Sequence, residues 1–216
     1  MKIKGAIFDL DGTILDSMHM WENLGGAYLT DLGIKPDSDI NSRLKTMSLA
    51  QAAEHFRDYY GLKKSVDEII GETAARVSHF YKCEVETKSG VKEFLEFLKS
   101  KNVKMCIATA SDTGLVHAAL EHCGINGYFC RVLTCTETGV GKDSPKIYDA
   151  ALQCLGTKKE ETVVFEDAYH AIVTAKNNGY FTVGVYDSFE KNNEERIKET
   201  ADKFIYSFDE LRGYFD

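Results

Sequence analysis

The chain has 216 residues, 44% of them hydrophobic and 28% charged, with a formal net charge of −8. That length suits one domain, or one domain carrying a smaller insertion, and the composition is enough to build a proper core. No basic stripe offsets the negative charge, which argues against a nucleic-acid partner; a small anionic substrate stays open, because screening confines a global charge to short range, provided its site supplies local positive groups.

In chain order, residues 3–10 read as a buried strand. Asp9 and Asp11 interrupt this apolar run, so it is neither a signal peptide nor a membrane span, and a cytoplasmic location is expected. Residues 17–83 show helical patterns and no convincing strand. Trp21, Leu24, Tyr28 and Leu29 mark one helix, Ala52, His55, Phe56 and Tyr59 a second, and Val66, Ile69, Ile70, Val77 and Phe80 a third. The stretch is too long for a crossover, so it reads as a helical insertion, residues 17–85, in a core formed by 1–16 and 86–216. From there strand and helix alternate. Apolar runs at 103–108, 129–134, 162–165, 181–185 and, more weakly, 203–206 read as strands. Helical patterns cover 91–101, 113–123, 145–155 and 168–178, the last three closed by Gly124, Gly156 and Gly179. Such alternation predicts an α/β fold, a Rossmann-like parallel sheet with helices on both faces. The six cysteines form no CxxC pair and sit in or near apolar runs, so buried reduced thiols are expected rather than a zinc site or disulfides.

The first strand ends in Phe8-Asp9-Leu10-Asp11-Gly12-Thr13. Side chains two apart on a strand share a face, so Asp9 and Asp11 point into one space, beyond the strand ends where open parallel sheets bind ligands. Paired carboxylates repel, and the pair calls for a metal or a shared proton. A bare DxD is more often just two acidic turn residues. Three further pieces appear at strand ends, in order. Thr109-Ala110-Ser111 closes the second sheet strand and opens a helix at Asp112, a place where hydroxyls and free N–H groups suit a phosphate. Lys142 follows the 129–134 run, and Glu166-Asp167 follows the 162–165 run. Each alone has an ordinary reading: capping, a solvated lysine, acids at a helix start.

Together, and in this order, they resemble the haloacid dehalogenase superfamily over the whole chain: DxDGT at Asp9 to Thr13, then Thr109, then Lys142, then Glu166–Asp167, with the helical insertion in the place of the family's cap. The resemblance implies a phosphatase. Asp9 is the expected nucleophile, forming an aspartyl-phosphate, and Asp11 the expected general acid and base. It implies Mg2+ as cofactor, held by the Asp9 carboxylate, the Asp11 carbonyl and Asp167, with Glu166 orienting a metal-bound water or Lys142. Thr109, the Ala110 N–H and Lys142 are expected to hold the phosphate. The expected partner is a small phosphorylated metabolite, with no nucleic acid and no membrane, and the expected state is a monomer.

Rival motifs fail. A P-loop ending at Lys142 would need Gly where Thr136 stands and Ser or Thr where Asp143 stands. His117 and His122 are five apart, poor spacing for joint metal ligation on a helix. A scaffold protein on the same fold would be expected to lack a catalytic residue, and none is lost. Dehalogenases lack the second aspartate, whereas Asp11 is present. The pattern is nearest the β-phosphoglucomutase-like branch, whose mutases carry a histidine shortly after the first motif and an arginine just past a substrate-reading turn in the cap. Trp21 and Leu49 occupy those places, with His19 two residues before Trp21. Arg43 or Lys45 could stand in for the arginine, so a sugar phosphomutase is the alternative. The reading turn itself is expected around Lys45, Thr46 and Met47.

Overall fold

The computed structural model describes residues 2–44 and 47–215. The chain divides into two compact units, Met1–Met18 with Val85–Asp216, and His19–Glu84. The first unit holds six strands: β1 (Gly5–Phe8), β2 (Lys104–Thr109), β3 (Phe129–Thr134), β4 (Thr162–Glu166), β5 (Phe181–Val185) and β6 (Lys203–Ile205). All pair in parallel, in the order β3-β2-β1-β4-β5-β6. The expected parallel α/β sheet is therefore present, and each strand lies within two residues of its predicted bounds at either end. The order reverses beside β1, so the crevice at its carboxyl end is the natural ligand position.

Strands in such a sheet are covered on both faces, which is why they read as continuous apolar runs. Alternate residues of β1 and β4 serve the two sides. Phe8 and Phe165 stack at 4.5 Å and share an aromatic cluster with Phe94 and Phe208. Phe94 comes from the helix Val91–Ser100 (α5, numbering the helices along the whole chain). Ile7 and Val164 face the other way, into a cluster with Ile147, Tyr148, Ala151 and Leu155 of α8 (Lys146–Leu155). Burying each phenyl ring contributes roughly 1.5–3 kcal/mol. Thus Phe8 and Ile7 fix the register that carries Asp9 to the sheet edge. The remaining helices of this unit are α6 (Thr113–His122), the short α7 (Cys135–Thr138), α9 (Tyr169–Asn177) and α10 (Glu194–Thr200). Gly124, Gly156 and Gly179 do end helices, each at positive φ.

The second unit contains α1 (Met18–Asp31, which starts one residue earlier), α2 (Ile40–Leu44), α3 (Leu49–Tyr60) and α4 (Val66–Cys83). Capping boxes Ser48/Gln51 and Ser65/Glu68 start α3 and α4. Its own core joins Tyr28, Leu29, Ile40, Ala53, Phe56 and Ile69. Three of the patterns predicted helices; α2 was not anticipated.

One expectation is corrected. All six cysteines are free, but only Cys106 and Cys123 are buried, while Cys83, Cys130 and Cys154 are exposed. Cys130 lies near the start of the edge strand β3, where it and Arg131 are both exposed, so an apolar neighbourhood in sequence does not imply cover in space. Among the described residues no helix is long and apolar enough to cross a membrane.

Candidate active site

Phe8 is in register with Phe165 of β4 and with Ile107 of β2. The residues that follow, Asp9 on one strand and Glu166–Asp167 on the other, therefore emerge side by side. The Asp9 N–H donates to the Phe165 carbonyl at 3.0 Å, which anchors Asp9 where the strand ends. Beyond it the chain reverses at Gly12, φ +81°, and the residue here has to be glycine for two reasons: the backbone is left-handed, and a Cβ would collide with the Asp167 carboxylate. Thr13 is fully buried and donates to Asp167 Oδ1 at 2.9 Å, so the turn after β1 also fixes the acid after β4.

Asp9, Glu166 and Asp167 offer carboxylate oxygens that all lie within 4.8 Å of one another, and all three residues are buried. Lys142 reaches this cluster from the loop before α8. Its ammonium pairs with Asp9 and, at 2.6 Å, with Glu166. Taken apart from the other motifs it reads as a solvated lysine, yet it is only 8% exposed. Burial works to lower its pKa, but the charges of Asp9 and Glu166 override burial and hold it above the ordinary lysine range. The acids respond differently. Burial pushes Glu166 up to about 7, against the pull of Lys142. Burial, with Asp9 and Glu166 alongside, also pushes Asp167 well above the usual carboxylate range.

The Asp11 carboxylate is held through both oxygens by hydroxyls. Ser17 Oγ donates to Oδ1 at 2.6 Å, and Ser111 Oγ donates to Oδ2. Thr109 is buried at the end of β2, and its Oγ1 accepts from the Ser111 N–H at 3.1 Å. Ala110 between them is exposed. Asp112 caps α6, accepting from the Gly114 N–H at 2.8 Å.

The structure thus brings Asp9, Lys142, Glu166 and Asp167 into one buried cluster and places Asp11, Thr109 and Ala110 on the same unit's strand ends. Sequence reasoning missed the partners of these groups. Ser111 was in view without its link to Asp11, and Ser17 stood only as the first residue of the predicted insertion. Tyr148, which donates to Glu166 at 3.2 Å, lies within the predicted helix 145–155 and was not singled out.

The residues fit a divalent cation. Three buried carboxylates lie together with one ammonium, which pairs with Asp9 and Glu166 but not with Asp167. Glu166 Oε2 is buried without a hydrogen-bond partner. An all-oxygen donor set of this kind suits a hard ion such as Mg2+.

The chain matches the model of the haloacid dehalogenase-like hydrolases over residues 6–185. It is 28% identical over 210 residues to the validoxylamine A 7′-phosphate phosphatase of Streptomyces hygroscopicus subsp. limoneus, covering 97% of this chain and 96% of that one. It is 27% identical over 194 residues to the β-phosphoglucomutase of Bacillus subtilis, covering 85% and 83%. A crystal structure from Thermotoga maritima, provisionally described as a β-phosphoglucomutase, superposes with a TM-score of 0.83 at 24% identity over 98% of both chains, a likeness of fold. The protein is an enzyme, and it belongs to the haloacid dehalogenase-like hydrolase family.

Proposed function

We propose that this enzyme is a Mg2+-dependent phosphatase that hydrolyses a small phosphate monoester, a sugar phosphate being the favoured class, through an aspartyl-phosphate. The observation that carries the reading is the buried cluster of Asp9, Lys142, Glu166 and Asp167 beside a hydroxyl-held Asp11.

Asp9 attacks phosphorus and an acyl-phosphate bond forms as the ester oxygen leaves. Asp11, in its acid form, gives that oxygen a proton. It then takes a proton from water as the water oxygen attacks phosphorus, releasing inorganic phosphate and restoring Asp9. Lys142, the Thr109 hydroxyl and the Ala110 N–H hold the transferring oxygens and offset their charge. Asp9, the Asp11 carbonyl and Asp167 are the residues that would hold Mg2+, and Glu166 keeps Lys142 and the cluster in place. When bound, the ion supplies the positive charge that lets an anionic nucleophile approach an anionic phosphate. The helical unit, residues 19–84, is assigned the choice of leaving group. Of the expected reading turn, Lys45 and Thr46 lie outside the described residues.

A phosphomutase is the second reading, raised by the relative from Bacillus subtilis. Such chemistry needs a cation for a second phosphate. Leu49, in the place of the mutases' arginine, is apolar and 66% exposed. Of the two nearby substitutes, Lys45 lies outside the described residues, and Arg43 is bound to Asp37 at 2.5 Å and Asp39 at 2.8 Å, with its guanidinium over the Tyr59 ring. These contacts favour water as the final acceptor. The deciding assay supplies β-glucose 1-phosphate with catalytic glucose 1,6-bisphosphate and Mg2+. Free phosphate is expected as the main product; glucose 6-phosphate formed faster than phosphate would overturn the hydrolase reading.

A further inference from the structure

Tyr148 lies in α8, is 1% exposed, and belongs to the core under the sheet. Phenylalanine would fill that space without a polar atom to satisfy. The hydroxyl instead donates toward Glu166 Oε1 at 3.2 Å, with the Ala171 carbonyl at 3.4 Å as a longer second contact. The same Oε1 accepts from Lys142 Nζ at 2.6 Å. Two donors of different origin, one from the loop before α8 and one from α8 itself, thus converge on one oxygen. The other oxygen of Glu166 is left buried and unbonded.

A carboxylate turns freely about its last torsion unless its oxygens are tied. Lys142 holds Oε1 at 2.6 Å from one side only, and its ammonium also serves Asp9. A second donor on Oε1 distinguishes the two oxygens and stops them exchanging places. We infer that Tyr148 is a positioning residue for the acidic cluster: its hydroxyl locks Glu166 in the orientation that the cluster needs to bind a divalent cation. The inference rests on the metal assignment proposed above. Partners that orient the groups around a metal typically set its affinity by 10–100-fold. A neutral hydroxyl with a longer second contact belongs at the low end, so loss of it weakens Mg2+ binding roughly tenfold.

The test is calorimetric titration of Mg2+ into metal-free protein, with circular dichroism to confirm folding and with the Mg2+ concentration for half-maximal activity measured in parallel. Y148F is expected to bind Mg2+ roughly tenfold more weakly, and Tyr148→Met, which also lacks the hydroxyl, serves if the phenylalanine variant does not fold. Y180F is the control: Tyr180 is equally buried, but its hydroxyl goes to the Tyr148 carbonyl and to Asp149, so affinity stays within about twofold. In a Glu166→Gln background, Y148F is expected to add no further loss, because the two act as one unit. Unchanged affinity in Y148F, equal loss in Y180F, or a full additional loss on top of Glu166→Gln would each overturn the inference. Wild-type protein that takes up no Mg2+ at all would remove the metal assignment itself, an outcome distinct from the other three, and this inference with it.

Discussion

Lys142→Met removes the buried ammonium while keeping an unbranched side chain in its space. In the wild type the ammonium lies 2.6 Å from Glu166, and unit charges at that distance attract by about 6 kcal/mol at an effective dielectric of about 20. Desolvation of both partners takes back much of this, and breaking one side of a buried pair costs about 3–5 kcal/mol. The orphaned acids recover part of the loss by taking up a proton, because burial has already pushed Glu166 to about 7 and losing its cation pushes it further. For metal-free protein near pH 8, where those protons are scarce, we expect a loss of about 3 kcal/mol, or roughly 6–12 °C in Tm. The loss shrinks toward acid pH. Turnover should respond far more than metal binding. Without the lysine the transferring oxygens lose a charge partner, and kcat falls by about 10²–10³. The cluster meanwhile becomes more negative, which offsets the loss of one of the two donors on Glu166, so Mg2+ affinity changes much less than kcat. Urea unfolding in EDTA, initial rates on p-nitrophenyl phosphate at saturating Mg2+, and calorimetric titration measure the three quantities. A variant that kept a tenth of the wild-type rate, or that lost no stability in EDTA near pH 8, would refute the reasoning.

Asp9→Asn should fold normally and lose turnover, because an amide cannot form the acyl-phosphate; a purified variant with even a tenth of the wild-type rate would point to direct attack by water. EDTA should abolish activity and Mg2+ restore it, whereas Ca2+ should inhibit through its larger and looser coordination shell; activity undiminished after exhaustive chelation contradicts the metal assignment. Stability of the metal-free protein should fall with rising pH. Glu166 titrates at about 7 in the fold against an ordinary value of 4.5, and Asp167 is raised as well, so both keep protons that the unfolded chain releases. The stabilisation is full below that ordinary value and is lost as the pH climbs to about 7. Thermal melts in EDTA should therefore run lower at about pH 8 than at about pH 5, and a flat profile would show that these acids are not held protonated.

Much of this site was legible because parallel strands leave a strong trace. Ile7 and Phe8 are apolar on both faces of β1, the run stops at Asp9, and the same stop recurs at Thr109 and Glu166. Positions at strand ends in one parallel sheet share one edge, so the order of the motifs along the chain was enough to gather them. Local structure without an apolar period left less trace. Helix α2 has five residues and one buried side chain, Ile40, and α10 buries only Ile197. Neither could announce itself by spacing.

What the sequence hides is the second partner of each functional group. Tyr148 sits in the 3.6-residue apolar stripe of α8, where an aromatic residue needs no further explanation, and Glu166 is 18 residues away. Ser111 and Asp11 are 100 residues apart. A pattern read along the chain records which face a residue turns to the core, and that is a property of its backbone. It does not record where a side chain's one polar atom ends up, because that depends on how two separately patterned elements dock. The candidate catalytic groups and the groups proposed to orient them are therefore recovered by different means. The first are legible as polar residues that break an apolar run. The second, like Tyr148, are polar atoms carried by residues that continue one, and only the folded chain shows that the hydroxyl is bonded rather than merely buried.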